Sequence, residues 1–227
     1  MVAEAEMIFE KSFTCPCCSQ ETLSPAVKSR YVVVTKTDTD FCSHFSGINP
    51  YFYEVVVCQH CGYAFTERCM EALNADQRAT IKRIVNWDGK TFAGVRDHKK
   101  AVASFIAALY CQENIDARMS IRGGLCLKLA WLHRYIADTQ QENRFLHMAY
   151  ECFTDAYNNE VLGPKEEIHL LYLLGEIGHR LGKPLQECLK WFNKAIQHPR
   201  KDAYPLGTKM ARERWQEIKW EQKNRSS

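Results

Sequence analysis

The sequence predicts an α+β fold, mainly α: a small metal-stapled antiparallel β ribbon over residues 1–67, then an α-helical repeat array over 68–227 that ends in a capping helix. Three observations carry that expectation. Two Cys-x-x-Cys pairs sit at Cys15/Cys18 and Cys58/Cys61. Between them, RYVVVTKT (30–37) and YFYEVVVC (51–58) are β-branched and aromatic runs of strand length. From about residue 68 the apolar spacing changes from period 2 to period 3.6, which marks the expected domain boundary.

The paired cysteines bear the chemistry. Two thiolates three residues apart in a tight turn point at one ion about 2.3 Å away, and two such turns complete a tetrahedral site, so Cys15, Cys18, Cys58 and Cys61 are the expected ligands of one structural zinc. Gly62, just after the second pair, suits the positive φ of such a turn. The first pair lies in FTCPCCSQ, where Cys17 could replace Cys18, although the three-residue step favours Cys18. Cys42 and His44, in DFCSHF, are alternative ligands if a cysteine of the first pair is not used, loop packing being the plainer reading. Reduced cysteines without metal, and a redox pair, are the competing readings; the second wants a βαβ unit that is not visible here. Four thiolates leave no coordination position for water, so the ion is expected to fold the chain and not to catalyse.

Seven of the eleven cysteines lie between Cys15 and Cys69, while Cys111, Cys126, Cys152 and Cys188 fall in helical patterns and read as small core residues. That distribution fits a reducing compartment. The opening MVAEAEMIFEKSF lacks the basic start and apolar stretch of an export signal, and no apolar run approaches the roughly 18 residues of a membrane span, so a cytoplasmic location is expected. Residues 1–70 carry five Lys/Arg against eight Asp/Glu, the wrong sign for a ribbon that grips phosphates.

In the helical part a pattern of small residue, aromatic and alanine recurs: Ala101, Phe105, Ala108; then Ala149, Phe153, Ala156; then Cys188, Phe192, Ala195. The apolar helices LCLKLAWLHRYIA (125–137) and IHLLYLLGEIGHRLG (168–182) precede the second and third sets and carry the matching pairs Leu129-Ala130 and Leu174-Gly175. Such spacing belongs to helix-turn-helix repeats. The last unit, with Gly182, Phe192, Ala195 and Pro199, resembles a tetratricopeptide repeat, with one extra turn residue and Cys188 in place of alanine. Ala211, Trp215 and Ile218 are expected on the inner face of the capping helix. Projected onto that architecture, Leu127, Trp131, Arg134, Tyr172, Glu176, His179 and Arg180 would line a groove for a protein or peptide partner; packing between repeats is the plainer reading for Trp131 and Tyr172.

The blocks CPCC, TDTDFCSHFSGINPYFYEVVVCQHCGYAF, SFIAALYC, GLCLKLAWLHR, LGEIGHRLG, KWFNKAI and ARERWQEIK together resemble the bacterial family catalogued as domain of unknown function 2225, from about Phe9 to Lys219. The resemblance implies a cytoplasmic bacterial protein with a metal-ribbon start and a tetratricopeptide-like remainder, and it brings no activity with it. No catalytic residue is assigned. The expected role is that of a zinc-binding interaction or scaffold module; the alternatives are a nucleic-acid-associated zinc ribbon and an enzyme that uses the 38–50 loop around Asp38, Asp40 and His44.

Overall fold

The computed structural model describes residues 3–225, which form two compact units divided between Phe145 and Leu146. The boundary expected at 67/68 falls inside the first unit. Among the described residues there are eight α-helices and three small antiparallel strand pairs, so the fold is α+β and mainly α.

In the first unit a short helix α1 (Glu4–Met7) leads into β1 (Ile8–Thr14), which pairs with β2 (Glu21–Val27). Next come β3 (Val33–Thr37) with β4 (Ser43–Ser46), and β5 (Val56–Val57) with β6 (Ala64–Phe65). The ribbon is thus three separate hairpins and not one sheet. The run expected as a strand at 51–58 is mostly something else. Asn49 accepts the Tyr51 amide at 3.0 Å and Pro50 fixes the next φ, so Pro50–Tyr53 winds into a 3-10 turn and leaves only Val56–Val57 extended. The run at 30–37 does yield β3, but every residue of that strand faces solvent.

The core of this unit lies where β5 and β6 meet helix α3 (His98–Asn114). Val55, Val56, Val57, Ala64 and Phe65 are buried there, as are Phe105, Ala108 and Cys111 of the helix. The buried Gln112 donates to the Tyr63 hydroxyl at 3.0 Å, satisfying two polar groups that the core would otherwise strand. Side chains cap several helix starts: Asn74 and Gln77 form a reciprocal capping box on α2 (Ala75–Ile84), Asp97 accepts the Lys100 amide at the start of α3, and Asp138 accepts the Gln141 amide at the start of the fifth helix. Helix α4 (Met119–Tyr135) packs on α3, and the division between the units falls within α5 (Thr139–Asn159).

The second unit holds α6 (Pro164–Arg180), α7 (Leu185–Ile196) and α8 (Pro205–Arg225). Gly182, at φ +69°, reverses the chain between α6 and α7. The two helices close tightly because Gly175 has no side chain: a Cβ there would stand 2.7 Å from the Phe192 ring. All nine residues of the recurring triplets are buried, which is the physical content of the repeat read in the sequence. Ala211 and Ile218 of α8 are buried as expected, with Trp215 half-buried beside them. No helix among the described residues is long and apolar enough to cross a membrane.

Replacing Phe192, which is 0% exposed, by alanine should cost the second unit about 3–5 kcal/mol. Gly175→Ala should also destabilise it, because overpacking of roughly 1–3 kcal/mol outweighs the helix preference of alanine. Urea unfolding followed by circular dichroism checks both. An unchanged or raised midpoint for Gly175→Ala would mean that the ring is not seated against that backbone.

Candidate functional site

Each hairpin turn brings a different set of chemical groups together. The first turn carries Cys15, Cys17 and Cys18, between Thr14 and Glu21, the last paired residues of β1 and β2. The third carries Cys58 and Cys61, between Val57 of β5 and Ala64 of β6. The two turns share one hydrogen-bond plan. The amide of the first cysteine donates across the turn, Cys15 to the Gln20 carbonyl and Cys58 to the Tyr63 carbonyl, both at 2.9 Å. The fifth residue donates back to the carbonyl of that cysteine, Ser19 to Cys15 and Gly62 to Cys58, again at 2.9 Å. Both of those residues have positive φ, +60° for Ser19 and +72° for Gly62. Only the second position is crowded: a Cβ on Gly62 would lie 2.5 Å from Val85 and 3.2 Å from the Trp87 carbonyl oxygen.

The turns face each other so that Cys15, Cys18, Cys58 and Cys61 bring their sulfur atoms within 4.8 Å of one another, a group that could hold a metal ion. The Cys15–Cys61 and Cys18–Cys58 sulfur separations are both 3.7 Å. A tetrahedron with sulfur at about 2.3 Å from its centre has edges of roughly 3.8 Å, so the spacing fits such an ion. Side chains of the second turn reach back to the first hairpin and hold the two together. The Gln59 amide donates to the Thr22 hydroxyl at 3.0 Å, its side chain to the Leu23 carbonyl at 2.9 Å, and His60 Nε2 to the Glu21 carbonyl at 2.9 Å.

Crowded sulfurs resist full ionisation. Hydrogen bonding to Cys58 pushes the Cys15 thiol up to about 12, with burial adding to it, and hydrogen bonds with Cys15 and Cys58 push Cys61 well up. Cys58, the sulfur that accepts from both, goes down. A bound cation would favour the ionised form of all four. Cys17 is buried, burial pushes its thiol up, and it lies outside the group of four.

The middle turn holds charge. Asp40 is completely buried, and Arg134 of α4 donates to both its oxygens, at 2.9 and 2.6 Å, while Trp131 Nε1 adds a third donor at 3.2 Å. The same guanidinium reaches Asp38 at 3.0 Å and Glu142 at 2.8 Å. Asp38 also meets Lys36 at 2.8 Å and His44 Nε2 at 2.9 Å. Tyr135 donates to the Ser43 carbonyl, and Tyr51 to the Phe41 carbonyl at 3.4 Å. Lys128, bonded to Glu54 at 2.7 Å, stands 3.6 Å from the centre of the Tyr51 ring.

Asp38, Cys42 and His44 also have ligand atoms within 4.8 Å of one another. The carboxylate such an ion would need is already neutralised by Arg134 and Lys36, and burial pushes the Cys42 thiol up to about 11. The arrangement is that of an ion-paired brace between hairpin and helix. It gives Asp38 and Asp40 a structural task, and Asp40 Oδ1 also accepts the Cys42 amide of its own turn at 3.4 Å.

The residues expected to line a partner groove are divided between the units. Leu127 and Trp131 in the first, and Tyr172 and Glu176 in the second, are buried, and Arg134 is enclosed by its three carboxylates. Glu176 pairs with Arg214 of α8 at 2.8 Å, and His179 Nδ1 lies 3.5 Å from the same guanidinium. Arg180 is exposed.

Sequence reasoning missed Arg96, which is 2% exposed and meets no carboxylate. It donates to the carbonyls of Phe92 at 2.9 Å, Val55 at 2.7 Å and Phe52 at 3.3 Å, and its amide donates to the Tyr53 hydroxyl at 3.2 Å. Burial pushes it down to about 10. It also missed Trp87, which donates to the Gly62 carbonyl at 2.8 Å, and Gly89, where a Cβ would overlap the Cys58 carbonyl at 2.1 Å.

With this geometry in view, a comparison with protein families matches residues 8–218 to the family described as "Uncharacterized protein conserved in bacteria", domain of unknown function 2225. The chain belongs to this family. No curated protein and no solved structure matches it. In this member of family 2225 the four-cysteine group and the Arg134 brace both lie inside the matched span.

Arg134→Met would leave the buried Asp40 without its counter-charge and should cost about 3–5 kcal/mol in urea unfolding. A loss under about 1 kcal/mol would show that solvent reaches the carboxylate. Burial pushes Asp38 up from its ordinary 3.8, but its bonds to Lys36, His44 and Arg134 outweigh that and hold it well below the usual carboxylate range. A lowered folded-state value stabilises the protein above about pH 4 and is lost as pH falls below that. Stability measured between pH 5 and 2 should therefore fall less steeply in Asp38→Asn than in the parent; parallel curves would contradict the assignment.

Proposed function

We propose that the four-cysteine group holds one zinc ion in a purely structural role, and that the chain acts in the cytoplasm as a protein-interaction module built on tetratricopeptide-like helix pairs. One observation carries the metal assignment: two independent turns with the same hydrogen-bond plan meet with sulfur separations of 3.7 Å, the edge of a tetrahedral thiolate site. Soft thiolates favour zinc among the common divalent ions, and four protein ligands leave none for water or substrate. The ion would join the β1–β2 and β5–β6 hairpins, and its binding energy would become folding energy for them.

Support for the interaction role comes from the helices. The close approach of α6 and α7 at Gly175 and Phe192, and the buried triplets along α3, α5 and α7, are what helix-pair repeats require, and such repeats serve as recognition surfaces. The partner is a protein or peptide. Clustered cations are not what the hairpin region offers, since five Lys/Arg stand against eight Asp/Glu in its first 70 residues.

Elemental analysis of purified protein should find close to one zinc per chain. Cys58→Ser and Cys18→Ser should lower that content and the stability of the first unit together, whereas Cys17→Ser should leave the metal in place. A zinc content near zero in fully folded material, or loss of metal in Cys17→Ser but not in Cys18→Ser, would overturn the ligand assignment.

A further inference from the structure

Between α7 and α8 of the second unit runs an open groove of about 380 Å³. Three lysines line it, Lys190 and Lys194 from α7 and Lys219 from α8, and no carboxylate does. Among the described residues none of the three is in an ion pair, although pairs such as Lys209–Glu213 and Arg214–Glu217 occur elsewhere on α8. Lys194 is held in place, its ammonium 4.4 Å from the centre of the Tyr157 ring and 4.7 Å from that of Trp191. Concentrated positive charge with no internal counter-charge is an unsatisfied arrangement that an anionic ligand completes.

Trp215 adds an aromatic ring to the lining, and the Lys219 ammonium stands 5.1 Å from the centre of that ring. The remaining lining is suited to a backbone: it includes the side-chain amides of Gln186 and Asn193 on α7 and of Gln197 just beyond it.

The spacing narrows the ligand further. Gln186 to Gln197 covers about 16 Å of helix, the length of roughly five residues of extended chain. Lys190 and Lys194 are one turn apart, about 6 Å along the axis, close to the roughly 6.6 Å between alternate residues of an extended peptide. We propose that this groove binds an extended acidic peptide, with carboxylates at alternate positions meeting Lys190 and Lys194. The proposal gives a partner chemistry to the interaction role and rests on that reading for the kind of partner alone.

The test is fluorescence anisotropy on the full chain with labelled hexapeptides of alternating glutamate and serine, alternating lysine and serine, and serine alone. The acidic peptide should bind tightest, and more weakly as salt rises. Lys190→Glu combined with Lys194→Glu, both on the accessible face of α7, should weaken it at least tenfold with helicity retained. In the parent protein the Trp215 indole N–H resonance should shift on titration, a readout that does not depend on any variant. Equal affinity for the acidic and serine peptides, or an affinity within twofold after the double charge reversal, would overturn the proposal. So would an oligoribonucleotide of equal charge that displaces the peptide at lower concentration. Preference for the basic peptide would sink the acidic specificity and leave the interaction role standing, whereas failure of all three peptides would count against both.

Discussion

The first unit depends on a meeting of two turns far apart in sequence. Cys15 and Cys18 belong to one hairpin, Cys58 and Cys61 to another, and the four sulfurs converge because both turns present their cysteines through the same backbone geometry. Hydrogen bonds from Gln59 and His60 onto β2 set the approach before any ion is considered. The sulfurs still repel further ionisation, as the raised thiols of Cys15 and Cys61 show. Hydrogen bonding thus fixes the geometry and leaves an electrostatic problem that a cation would solve.

Two arginines then fasten the loop that separates the cysteine turns. Arg134 closes on Asp38 and Asp40 with charge against charge. Arg96 does its work with no carboxylate at all, collecting backbone carbonyls from the 3-10 turn and the start of β5. The physical difference is instructive. A carboxylate partner fixes one point, whereas carbonyls at Phe52, Val55 and Phe92 let one planar group define the path of two chain segments. β5 is only two residues long and could not hold Cys58 in position by its own ladder.

How much of this was legible depends on whether the interaction leaves a pattern. The cysteine turns could be read because ligand spacing is itself chemistry, and the helix triplets because burial on one face repeats every turn. Phe192 and Gly175 were each singled out for that reason, and the structure brings them into contact. β1 left little trace, since most of its residues are exposed and its sequence Ile-Phe-Glu-Lys-Ser-Phe-Thr shows no buried alternation. Tyr51–Tyr53 read as strand by composition, and one proline with one asparagine cap overrode it. Arg96 could not be found, because nothing local distinguishes an arginine that will bond carbonyls some 40 residues away. Arg134 and Trp131 stood out as groove candidates, with packing between repeats the plainer reading for Trp131. Their partners, Asp38 and Asp40, lie more than 90 residues away, and only the folded chain brings them together.

The setting of Trp87 has a practical corollary. Its indole is tied to the carbonyl of Gly62, one residue beyond a cysteine of the group, and the same segment carries Gly89 flush against the Cys58 carbonyl. One of the chain's five tryptophans is therefore tied to the backbone beside the four-cysteine group, so its emission, with the other four replaced, offers a label-free gauge of whether that corner of the molecule is assembled.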